Sequence, residues 1–146
     1  LGDKALLALQ TAARGQRIPQ SPGEIVRCAL ESLALKYRLT IGQVERVTGR
    51  AIKVIHVVGG GVRNELLCQL TADATDRPVI AGPAEATATG NVMLQALARG
   101  RVSSLGEIRE IIARSMTLRH YQPRSSPAWE QAERCHSERR RDGESR

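Results

Sequence analysis

The sequence predicts an α/β domain in which helices pack on a few strands, and three observations carry that prediction. Two β-branched runs, residues 51–58 and 77–82, alternate with segments of helical period. Strands that alternate with helices imply a sheet layer with right-handed crossovers. The 146-residue chain is 41% apolar, which suffices for a core, and with no Phe at all that core is aliphatic.

The elements follow in order. Residues 4–13 form a helical patch and 15–19 a Gly/Pro connector. "SPGEIV" then opens the clearest helix: Ser21 caps it, Pro22 suits the first position and Glu24 completes a capping box. Val26, Leu30, Leu33, Tyr37, Ile41, Val44 and Val47 step by three and four, predicting one buried stripe that ends near Gly49. Gly42 marks an expected bend. "AIKVIHVV" reads as a strand buried on most of both faces, with His56 a packed core residue. "NELLCQLTADA" is a helix with Leu66, Leu67, Leu70 and Ala74 on its inner face, and "RPVIAG" a second strand.

"EATATGNVMLQALARG" is a helix of small residues with Glu85 as its capping carboxylate. Gly90 inside it costs about 1 kcal/mol against Ala, which predicts a close neighbour or a ligand there. "SSLGEIREIIARS" repeats the capping logic with Ser104 and Glu107, and turns Leu105, Ile108, Ile111 and Ile112 inward. Trp129 and Ala132 suit a last helix, and the charged residues 134–146 are expected to be disordered. Two strands make a poor sheet, since a free-standing α/β domain of this length usually has four or more. The expectation is the end of a longer fold, and a first residue Leu1 in place of Met agrees with it.

The net charge of +7 suggests a nucleic-acid partner, but its distribution does not. Arg14, Arg17, Arg27, Lys36, Arg38, Arg46, Arg50, Lys53, Arg63 and Arg77 are scattered, and Tyr37, Tyr121 and Trp129 lie far apart. Binding to nucleic acid normally needs clustered charge or interleaved aromatics, so solvated helix surfaces are the expectation. Cys28, Cys68 and Cys135 share no short spacing, which argues against zinc, and Cys28 and Cys68 read as reduced core residues. Without a long apolar run or signal peptide the expectation is a soluble, cytoplasmic protein.

The chemistry concentrates in "VIHVVGGGVRN". A strand that ends in glycines and enters a helix gathers unpaired N–H groups at one spot, and glycines admit a ligand where a Cβ would collide. Neither G-x-x-x-x-G-K-[ST] nor G-x-G-x-x-G fits, because Val62, Arg63 and Asn64 follow Gly59, Gly60 and Gly61. Nucleotide contact and a plain structural turn both remain open on these residues. Asn64 suits either a helix cap or an amide contact to a ligand.

The wider pattern narrows this. Gly59, Gly60, Gly61 and Asn64, then Gln69, Ala72 and Asp73, then Pro78 and Val79, Glu85, Ala88 and Gly90 together resemble the C-terminal domain of the FGGY family of carbohydrate kinases. The resemblance covers residues 1–133 as a nucleotide-binding domain incomplete on its N-terminal side. It implies the C-terminal part of an actin-like, hexokinase-like ATPase of ribonuclease-H-like fold. It also implies that Gly60 contacts ATP, Gly59 and Gly61 shape the loop and Asn64 lends a polar contact, with adenosine as the part received.

Phosphate loops, Mg²⁺ ligands and the catalytic Asp lie in the family's other segments, and neither Asp3 nor Asp73 matches the base. The implied reaction passes the γ-phosphoryl of ATP to a ketose held mainly by the absent N-terminal domain. Residues 22–38 and 79–91 are most similar to the kinases of L-rhamnulose; xylulose, fuculose and glycerol are the other acceptors in the family. The chain alone is expected to be inactive, as part of such an enzyme or as a remnant with no activity of its own.

Overall fold

The computed structural model describes residues 19–124 and 126–134. The helical patch at 4–13, Cys135 and the tail at 135–146 lie outside the described residues. Helix α1 spans Pro22–Thr48 and is followed by strand β1 at Ile55–Val57 and a 3-10 turn at Gly59–Arg63. Helix α2, Glu65–Thr75, leads to β2, Val79–Ala81. Helices α3 (Ala86–Ala98) and α4 (Leu105–Ser115) precede β3, Arg119–Tyr121, and a last helix α5 covers 127–134. The sheet order is β1-β2-β3, with β1 and β2 parallel and β3 antiparallel to β2.

Helix α1 starts as its sequence dictates. The Ser21 hydroxyl accepts from the Glu24 amide at 3.2 Å and the Glu24 carboxylate accepts from the Ser21 amide at 3.0 Å. Gly49 ends it in the left-handed conformation, φ 66°, donating its N–H to the Glu45 carbonyl. The helix runs unbroken through Gly42.

Helix α2 is the centre of the domain because it is buried on two sides. Cys68 and Ala72 pack on Val79 and Ala81 of the sheet, with Ile55, Val57, Val62 and Tyr121 around them. Leu70 and Ala74 pack on Ala34, Leu30 and Trp129. Ala34, Ala72 and Ala74 have no exposed surface, so small side chains let the backbones approach closely. The buried Thr71 and Thr75 hydroxyls are satisfied within the helix, donating to the carbonyls of Leu67 and Thr71 at 2.7 Å.

Several expectations are corrected. The face of α1 that is buried centres on Ala34 and Leu35, whereas Val26, Leu33, Tyr37, Val44 and Val47 of the predicted stripe are exposed. Length accounts for Val26, Val44 and Val47, since 27 residues span about 40 Å and α2 offers about 16 Å of support, while Leu33 and Tyr37 lie on a different side of the helix from Ala34 and Leu35. His56 is exposed, not packed, and so are Val54 and Val58. β1 is an edge strand whose outer side no described residue pairs, and alternation turns His56 away from Ile55 and Val57.

Leu66 and Leu105 are exposed, and nothing described lies within 4 Å of where a Cβ on Gly90 would be. Cys28 is only half-buried, while Cys68 is buried. Glu85 makes no capping bond to α3. β3 was not predicted.

Two of the scattered arginines are structural. Arg77 donates to both carboxylate oxygens of Glu45 at 2.9 Å and through Nε to the Ile52 carbonyl at 2.7 Å, and Glu45 also accepts the Ile52 amide at 2.7 Å. The pair fixes the connection from α1 into β1. Arg38 bonds Glu133 of α5 and the Ala74 carbonyl.

The Ile52 amide and Arg77 hold the Glu45 carboxyl below the usual glutamate range. A lowered folded value means the stabilisation is present above the ordinary glutamate range and is lost as pH falls through the lowered value. Glu45→Gln is therefore expected to flatten the acid limb of a Tm–pH profile, and an unchanged acid limb would remove Glu45 from that role.

Candidate functional site

β1 and β2 are in register, Val57 opposite Ala81, so their carboxyl ends stop at one level. Ligand crevices of parallel sheets form there. Two backbone bonds lace the connections together: the Gly82 N–H donates to the Val57 carbonyl at 2.9 Å and the Gly59 N–H to the Pro83 carbonyl at 3.1 Å. Because β3 is antiparallel, its beginning lies at the same end, with Arg119 opposite Ala81. The result is a crevice of about 450 Å³ walled by Val62, Arg63, Ala81, Gly82, Thr117 and Arg119, among others.

The glycine run turns the chain into this crevice's rim. Gly59 adopts φ 73°, where a side chain is strained. A Cβ on Gly61 would sit 3.4 Å from Val57 Cγ1, in ordinary contact, and one on Gly60 would meet nothing within 4 Å. Asn64 caps α2, its Oδ1 accepting the Leu67 amide at 2.9 Å, which leaves its carboxamide N–H groups as donors. The four residues singled out by sequence thus share one 3-10 turn and helix entry. Val62 and Arg63, the turn's last residues, form the crevice wall itself, while Gly61 lines a separate apolar cleft of about 430 Å³ beside β1 with Tyr37, Ile41 and His56.

Sequence reasoning missed the opposite wall. Gly82 and Pro83 carried a legible turn signal, the Gly-Pro dipeptide. Thr117 and Arg119 carried none, because they reach the crevice only through the β2–β3 pairing. Charge at the crevice is internally matched: Arg119 pairs with Glu65, and Arg63 approaches Glu85 at 3.7 Å. Tyr121 and Glu65 raise the Arg119 value further above its usual range.

The donor chemistry decides what fits. The turn beside the crevice, rather than its lining, offers open backbone at Gly60 and amide donors at Asn64, groups able to hydrogen-bond a neutral ligand. A divalent cation fits poorly, because both nearby carboxylates face arginines. No group of three His, Cys, Asp or Glu among the described residues is placed to hold a metal.

Comparison with known proteins identifies the family. The family model for the C-terminal domain of the FGGY family of carbohydrate kinases matches residues 6–99. The chain is 48% identical to a rhamnulokinase of Bacteroides thetaiotaomicron over 118 residues, 81% of this chain and 24% of that protein. It is 44% identical to a rhamnulokinase of Halalkalibacterium halodurans over 107 residues, 73% of this chain and 23% of that protein. A solved xylulose kinase from Rhodospirillum rubrum matches at a TM-score of 0.62 and 25% identity, over 84% of this chain and 25% of that one. The chain thus spans about a quarter of the length of these relatives.

Proposed function

Because the chain belongs to the FGGY family of carbohydrate kinases, as part of the C-terminal domain with an actin-like ATPase fold, we propose that it is the nucleotide-binding portion of a sugar kinase. The reaction proposed is transfer of the ATP γ-phosphoryl to the 1-hydroxyl of L-rhamnulose, giving L-rhamnulose 1-phosphate. The observation that carries it is the family match over residues 6–99, which include the glycine turn, together with 36–48% identity to curated rhamnulokinases. Adenosine would rest against Gly59, Gly60 and Gly61, with Asn64 supplying N–H groups.

The chain's part in catalysis is positional: it binds one end of ATP so that the other end reaches an acceptor held elsewhere. Mg²⁺ would neutralise charge on the transferring phosphoryl group from ligands outside the described residues. We extend the domain to Glu133, since Trp129 packs into the α1–α2 core and Glu133 bonds Arg38. The open edge of β1 and the exposed stripe of α1 are surfaces for the remaining three-quarters of such an enzyme to cover. Sugar and ATP/ADP are the proposed partners. A cytoplasmic location belongs to the same reading; no described helix is long and apolar enough to cross a membrane.

The test is a chimera. The purified chain is expected to bind ATP yet phosphorylate no sugar. Joined in frame to the N-terminal part of the Bacteroides rhamnulokinase, it is expected to phosphorylate L-rhamnulose in preference to xylulose, fuculose or glycerol. A soluble chimera inactive on every sugar would overturn the kinase reading. Because the N-terminal part holds the sugar, the acceptor is read from pairing, and an equally active chimera with the N-terminal part of the Rhodospirillum xylulose kinase would overturn the choice of L-rhamnulose.

A further inference from the structure

We propose that Gln69 and Asp73 are positioning residues: a latch on α2 that fixes β3 and thereby the far wall of the crevice. The inference rests on the nucleotide reading above for what the crevice holds, but not for the latch itself. The two side chains lie one turn apart on α2, on the same face. Gln69 Nε2 donates to Asp73 Oδ1 at 2.7 Å and to the Gln122 carbonyl at 2.8 Å, and the Arg124 amide donates to Asp73 Oδ1 at 2.8 Å. Both outside partners belong to the chain just after β3.

A three-residue strand needs such help. β3 contributes only Tyr121 to the core, and its other two residues are exposed. Its beginning is tied to α2 by the Arg119–Glu65 pair and its end by Gln69 and Asp73. Between these ties the strand is held in one register, and register matters because a one-residue slip exchanges the two faces. In the observed register Leu118 and Thr117 press on Gly82, where a Cβ would come within 2.9 Å of Leu118 Cδ2. Gly82 and Pro83 in turn hold Val57 and Gly59 through the two lacing bonds. The path from Asp73 to the glycine turn is therefore continuous in hydrogen bonds and contacts.

The experiment compares Asp73→Ala, Gln69→Leu and Asp73→Asn in this chain, reading amide exchange residue by residue and ATP affinity. Asp73→Asn keeps the Oδ1 acceptor. Asp73→Ala is expected to speed exchange of the Gly59, Gly82 and β3 amides about tenfold while the α1 amides at Ala34 and Leu35 stay protected. ATP affinity should fall about tenfold in Asp73→Ala and be restored in Asp73→Asn. Leu35→Ala, a core change far from the crevice, should lower Tm without changing ATP affinity.

If Asp73→Ala does not fold, Gln69→Leu, which retains the Arg124–Asp73 bond, reads the same quantities. Unchanged exchange at Gly59, Gly82 and β3 overturns the latch. Faster exchange with unchanged ATP affinity overturns the positioning role. Faster exchange in a chain whose parent binds no ATP upholds the latch and instead overturns the nucleotide reading.

Discussion

Gly82→Ala is expected to cost the chain about 3 kcal/mol of stability, a large part of what a domain of this size has. Gly82 has φ 134°, a region that residues with a Cβ rarely occupy. A Cβ would also stand 2.9 Å from Leu118 Cδ2 and 3.2 Å from the Thr117 carbonyl oxygen. The leucine tip can rotate away, but the carbonyl belongs to the chain entering β3 and can move only with the strand. Both costs therefore fall on one junction, where β2 hands the chain to Pro83 and β3 lies across it. Chemical denaturation reads the effect as a lowered midpoint with the slope kept.

Gly42→Ala and Gly90→Ala serve as controls. Both lie inside helices with nothing within 4 Å of the new methyl group, and each is expected to stabilise by about 0.5–1 kcal/mol. A Gly82→Ala midpoint equal to the parent's would show that β3 does not press on Gly82 in solution.

How much of this was legible depended on whether a feature is local. The capping box at Ser21 and Glu24, the Gly49 terminator and the Asn64 cap are set by residues within four positions, and each was readable and is observed. Burial is not local. The stripe from Val26 to Val47 has the period of a buried face, yet which side of α1 is covered depends on where Ala34 and Ala74 let two helices touch. His56 looked like a core residue because its neighbours are Val and Ile, whereas the sheet's edge leaves it exposed.

β3 was invisible for a related reason. Arg119, His120 and Tyr121 carry no strand pattern of their own, and the pairing with β2 together with the ties from Glu65, Gln69 and Asp73 makes them one. The near wall of the site, built from consecutive residues, could be read from the sequence. The far wall, assembled across the 34 residues that separate Gly82 from Thr117, could not.

Gly60→Val is expected to weaken ATP binding at least about tenfold, or about 1.4 kcal/mol, while leaving the denaturation midpoint close to the parent's. The three glycines of the turn differ in what the protein itself requires of them. Gly59 needs its positive φ, so any loss of affinity on replacing it would be confounded with backbone strain. Gly61 packs close to Val57, so a larger residue there would disturb the sheet. Gly60 has neither a positive φ nor a neighbour within 4 Å of a new Cβ, and nothing described in the fold calls for glycine at that position. If a nucleoside lies along the turn, it supplies the missing reason: a side chain at position 60 would occupy the space that the ligand needs. Calorimetric titration of ATP and of adenosine into the parent and the variant separates the two causes. Equal losses for both ligands place the contact at the nucleoside end, and a loss confined to ATP would move it to the phosphates. Unchanged affinity for both would take the glycine turn out of the binding site and leave it as a turn alone.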